Sequence, residues 1–126
     1  MKHRIILAAL AAVLALGACD AGDPGDPPGG EYRAQLRSPN GDEGAVAIEL
    51  TGPGIQSIAA DGARLHTQPS GNTTHVVLIR DPAGPIEFRI TMAPGQEPPA
   101  ARVVEVVDGS DRPRPSLDGY RVTFRR

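Results

Sequence analysis

The chain has 126 residues, with 13 Lys or Arg against 15 Asp or Glu, one cysteine and no tryptophan. That length allows one domain. The slight acidity lacks the basic footprint of a nucleic-acid binder, and one cysteine excludes an internal disulfide.

Met1-Lys2-His3-Arg4 is a basic start, and Ile5 to Leu16 is an uninterrupted apolar run. As a helix those twelve apolar residues would span about 18 Å, well short of the roughly 30 Å hydrocarbon core of a bilayer. The pattern predicts a removable secretory signal over residues 1–18. It closes on Leu16-Gly17-Ala18-Cys19, an aliphatic residue and two small residues before a cysteine. This ending resembles the lipobox of bacterial lipoproteins. The resemblance implies cleavage before Cys19 and a diacylglyceryl thioether on its thiol, with further acylation of the new amine. Two or three acyl chains hold a protein stably on a membrane, whereas one holds it marginally. Cys19 is then an anchor, on the cell membrane or the outer membrane, facing the periplasm or the exterior. Asp20 resembles the inner-membrane retention signal of enteric-type lipoproteins. Ala15-Leu16-Gly17 also fits ordinary signal cleavage, which would release a soluble chain with a free thiol.

After processing, 11 arginines would face 15 carboxylates, and no lysine would remain. Residues 19–30 hold the expected lipidation site and then an acidic stretch of Asp, Pro and Gly whose only apolar side chain is Ala21. Such a segment buries too little surface to offset the entropy of ordering, and is expected to be a disordered tether. Its eleven residues after the cysteine reach roughly 35 Å when extended.

Residues 31–126 are expected to form the folded domain. Its longest stretch free of Gly and Pro is ten residues, Asn72 to Asp81. An average helix needs about eleven or twelve residues and a strand five or six. The runs between breakers are rich in Val, Ile and Thr, which favours strands. Val46, Ile48 and Leu50 alternate with polar or small neighbours, as do Ile86, Phe88, Ile90 and Met92, and Tyr120, Val122 and Phe124. This period of two describes strands with one buried face. His75-Val76-Val77-Leu78-Ile79 has no polar alternation and is expected to be a central strand covered on both faces.

Eight strands are predicted, over 31–37, 45–51, 55–60, 63–68, 73–80, 85–92, 100–107 and 119–125. The turns between them are rich in Gly, Pro, Asn and Asp. Short strands at regular spacing predict an all-β, antiparallel two-sheet β-sandwich. The runs Gly44 to Leu50, Gly84 to Ile90 and Gly119 to Phe124 resemble strands of the cohesin-like and immunoglobulin-like sandwiches of exported bacterial proteins.

The residue types offer little chemistry. No Gly-x-Ser-x-Gly elbow occurs, and His66 and His75 are the only histidines beyond the signal. His75 is expected to be bonded to backbone at a strand edge, and His66 to be exposed. No catalytic site, metal or cofactor is predicted. Two weak calcium arrangements, Asp108 to Asp111 with Asp118 and Asn40 with Asp42 and Glu43, lack the twelve-residue loop pattern. Tyr32 is the one aromatic expected to be free of the core. Loops 38–44 and 108–118 are the candidate partner-binding loops, with Asn40, Asp42, Arg112 and Arg114 as candidate contacts. Arg112-Pro113-Arg114-Pro115 is a stiff cationic segment suited to an acidic partner. The reading is an anchored envelope binding or adaptor module, expected to meet the membrane through Cys19 and an envelope protein through its loops. A passive structural role and a hydrolase are the alternatives.

Overall fold

The computed structural model describes residues 29–126; the signal, Cys19 and most of the tether lie outside these. The described chain is all strand and loop. Its eight strands are β1 (Gly30–Arg37), β2 (Glu43–Thr51), β3 (Ile55–Ala59), β4 (Arg64–Ser70), β5 (Thr73–Gly84), β6 (Glu87–Met92), β7 (Ala100–Val107) and β8 (Arg121–Arg125). They form two four-stranded antiparallel sheets that are not closed into a barrel. Sheet A has the order β3-β6-β1-β8 and sheet B the order β4-β5-β2-β7. The domain is the expected β-sandwich.

The pairing is nested. β4 pairs with β5, β3 with β6, β2 with β7 and β1 with β8. β1–β6 and β2–β5 contacts then complete each sheet. Only β4 and β5 are joined within one sheet, through the two-residue loop Gly71-Asn72. Every other connection crosses from one sheet to the other.

The alternating side chains meet between the sheets. Ala34, Val46, Ile48, Leu50, Phe88, Ile90 and Met92 are among the fully buried residues of one continuous core. Burial of this kind is worth about 25 cal/mol for each Å² removed from water, and it is the main force joining the sheets. Tyr32 is also in the core, at 7% exposure. The expectation that it stood free fails because its position on β1 is in phase with Ala34 and Leu36.

Two other expectations change. β5 is interior to its sheet, but of the apolar run only Val76 and Leu78 are buried; Val77 and Ile79 are half-buried on the outer face, which no third layer covers among the described residues. Asp81-Pro82-Ala83-Gly84, read as a turn, continues β5 and pairs Gly84 with Glu43. Pro69 falls inside β4, beyond the predicted end at residue 68. β4 is an edge strand, where a residue without an N–H is tolerated.

Candidate functional site

At one end of the sandwich, the loop before β2 meets the long loop between β7 and β8. Glu43 begins β2 and is 1% exposed, the one charged residue among the described residues that is fully buried. The β2–β5 register is irregular there: between the pairs Glu43–Gly84 and Ala45–Ile79, the single residue Gly44 on β2 faces four residues of β5, Arg80 to Ala83. Strict alternation from Val46 would turn position 43 outward, and this irregularity reverses the phase. Gly44 makes this possible by lacking a side chain, since a Cβ there would sit 2.6 Å from the Asp108 carbonyl oxygen.

The buried carboxylate is fully engaged. Ser38 Oγ donates to Oε2 at 2.6 Å, and Tyr120 OH donates to the same oxygen. Arg114 Nε donates to Oε1 at 3.0 Å. Asn40 Nδ2 in turn donates to Tyr120 OH at 2.8 Å, and the Asn40 amide donates to Ser38 Oγ at 3.0 Å. Buried charge is costly unless paired and hydrogen-bonded, and here it has both. The hydrogen bond to Glu43, together with its negative charge, holds the Arg114 guanidinium still more firmly protonated than usual.

The loop after β7 is shaped to deliver Arg114. Asp108 Oδ1 accepts from the amides of Ser110 and Arg112, at 2.8 and 3.0 Å. The Asp108 amide donates to the Arg112 carbonyl at 2.9 Å, and the Arg114 amide to the Val106 carbonyl at 2.8 Å. The chain thus doubles back along β7, with Val107 bridged to Pro113, and aims Arg114 at β2.

Those two amide bonds, helped by the charges of Arg114 and Arg112 against some desolvation, hold the Asp108 carboxyl below its ordinary value of 3.8. A carboxyl lowered in the folded state adds stability that is complete above its unfolded pKa and disappears as pH falls through the folded one. Thermal unfolding followed from neutral to strongly acidic pH should therefore have a component lost below the usual carboxylate range. Asp108→Asn should remove that component and flatten the acid side of the profile.

The four predicted contact residues are brought to the same end of the domain, with different roles. Arg114 and Asn40 belong to the Glu43 network. Arg112 makes its hydrogen bonds in the loop through its backbone, and its exposed side chain adds only the weakest of the charges that act on Asp108. Asp42 is exposed beside an open groove of about 430 Å³, which Arg37, Ser38, Pro39, Ile86 and Arg121 also line. Glu43 and Tyr120 are the residues that sequence reasoning missed as a pair; the glycine at 44 was the available signal.

The other candidates lie elsewhere. His75 is exposed, and its Nδ1 faces Glu49 Oε2 at 3.8 Å rather than a backbone group. Glu49 also pairs with Arg102 at 2.9 Å. Cross-strand surface pairs of this kind contribute well under about 1 kcal/mol each. His66 is exposed on edge strand β4. Asp108 Oδ1 and both carboxylate oxygens of Glu43, on which the calcium arrangements depended, are already taken by N–H and O–H donors. Among the described residues, no group of three or more His, Cys, Asp or Glu is placed to hold a metal ion. No protein-family model, no curated protein and no solved structure matches this chain.

Proposed function

We propose that the chain is a membrane-anchored lipoprotein of the bacterial envelope whose β-sandwich is a binding or adaptor module, engaging its partner at the loop end. One observation carries this reading. Two loops far apart in sequence are locked together through Glu43, and the open groove beside them is lined by residues of both charges and by proline and isoleucine. A rigid scaffold that presents exposed loops is the usual arrangement for recognition. The lipobox-like Leu16-Gly17-Ala18-Cys19 supplies the anchor and the acidic tether supplies reach.

The test is photo-crosslinking in cells with the crosslinker placed at Asp42, followed by purification of the tagged protein. Cys19→Ser serves as the unanchored control. The wild-type chain is expected in the membrane fraction with a lipid-sized mass increment on Cys19, and Cys19→Ser in the soluble fraction. A partner crosslinked at position 42 in the anchored protein and reduced in the control would support the adaptor role. A membrane fraction unchanged by Cys19→Ser would refute the anchor. An anchored protein with no crosslink above background would refute the use of this groove.

A further inference from the structure

The charges of the domain are divided between its two faces. The strands of sheet A carry five arginines against two glutamates, whereas those of sheet B carry three arginines against four carboxylates. On the outer face of sheet A the register places like charges opposite one another. Arg33 on β1 lies between Arg89 on β6 and Arg125 on β8, and Arg37 lies opposite Arg121. Like charges directly across a sheet destabilise it, so this row works against the fold that carries it.

Only part of that charge is neutralised. Arg89 is flanked by Asp61 at 3.2 Å and Glu31 at 3.7 Å. Among the described residues, no carboxylate lies within 4.0 Å of Arg33, Arg125 or Arg126. Arg126 is instead held by neutral groups. Its guanidinium stacks 4.7 Å from the centre of the Tyr32 ring, and it donates to Tyr32 OH at 2.6 Å and to the Gly29 carbonyl at 3.1 Å. Arg33, Arg89, Arg125 and Arg126, with Glu31 as the one carboxylate, line a depression of about 290 Å³.

This basic surface lies at the end of the domain where the tether arrives. Arg126 contacts Gly29 itself, and the Arg89–Arg33–Arg125 row is three residues along β1 from Gly30, about 10 Å at strand spacing. A domain anchored at Cys19 keeps this surface within tether reach of lipid headgroups, which raises its effective concentration there. Guanidinium groups bind phosphate oxygens in pairs, with a geometry that an ammonium group does not offer.

We propose that the outer face of sheet A is a docking surface for an anionic lipid bilayer, with Arg33, Arg125 and Arg126 meeting headgroup phosphates. The proposal rests on the anchored reading of Cys19. Docking is by the tether end of sheet A, at the Arg33–Arg125 pair, and leaves the opposite end, where Arg37 and Arg121 line the groove, free.

The test uses the chain from position 19 onward carrying Cys19→Ser, so that no lipid contributes. It is sedimented with vesicles of phosphatidylcholine, with or without phosphatidylglycerol. Binding is expected only to the anionic vesicles and should weaken with added salt. Adding Arg33→Gln and Arg125→Gln should reduce it about thirtyfold, at roughly fivefold for each arginine near a charged bilayer. Adding Arg64→Gln, on sheet B, should leave it unchanged. These arginines are exposed, so thermal unfolding should report an intact fold in all of the variants. Equal binding to both vesicle types, or no response to the double replacement, would overturn the proposal. Binding that appears only after Asp20, Asp23 and Asp26 are made asparagine would also overturn it, because the face would then hold its own tether. The intact mass of the wild-type protein reports the Cys19 lipid separately, so a failed anchor and a failed docking face give different results.

Discussion

Replacing Glu43 by alanine is expected to lower the stability of the domain by about 3 kcal/mol, and its melting temperature by about 10–20 °C. The carboxylate accepts from Ser38, Tyr120 and Arg114, and it is shielded from water. Its removal deprives two hydroxyls and a guanidinium of one shared acceptor, and leaves a void in the angle between the loops. Tyr120→Phe removes one donor to Glu43 and the exposed acceptor of Asn40 Nδ2, and should cost about 1 kcal/mol. The residues act as a unit, so the double variant should lose clearly less than the two single losses combined. Urea unfolding of the four proteins measures this coupling. Strict additivity would mean that Glu43 and Tyr120 stabilise the two loops independently. Crosslinking at the groove should fall with Glu43→Ala even where the domain remains folded, because the loops that frame the groove are no longer joined.

Phe88→Ala should be more damaging, at about 4 kcal/mol. Phe88 is 2% exposed on β6, one of the two interior strands of sheet A, and is paired with Ala34 on β1. The small partner leaves the phenyl ring to fill the space, and no other aromatic among the described residues lies so deep. A domain of this size is stable by only about 5–15 kcal/mol in total, so the variant should unfold at a much lower urea concentration, or fail to accumulate in cells. Phe88→Leu should recover most of the loss. Phe124, on edge strand β8, is only half-buried and should cost less when truncated.

The strands were legible in the sequence because breakers and period-two alternation agreed. The features that shape the sites were not, and the reason is largely the bulges. In β7, unbroken alternation from Ala101 and Val103 would drive Glu105 into the core. The register shifts between Ala47 and Ile48 instead, so Val104 is the extra residue and is 42% exposed; Glu105 turns outward and Val106 is buried. In β3, a shift at Gln56 lets both Ile55 and Ile58 lean on the core, although they are three residues apart. At Glu43 a larger irregularity, with three more residues on β5 than on β2, buries a carboxylate. Where such residues are inserted depends on the partner strand, which no local pattern reveals. The arginine row was hidden for a related reason. Arg33, Arg89 and Arg125 are scattered along the chain and become neighbours only when the register of three strands is known.

The nested pairing has a consequence for how the protein comes into being. The first two strands to emerge from a ribosome or a translocon have no partners yet, because β1 awaits β6 and β8 while β2 awaits β5 and β7. Only the β4–β5 hairpin can close early from neighbouring sequence. The N-terminal half must therefore wait as an open chain, with Val46, Ile48 and Leu50 uncovered, until β5 and β6 have been made. Arg125, second from the end of the chain, then pairs with Arg33 near the start of the domain. A chain that stops before β8 would leave the β1 edge of sheet A unpaired. Completion of the domain thus acts as a check on the whole chain, and chains that fail it offer quality-control proteases an open strand edge.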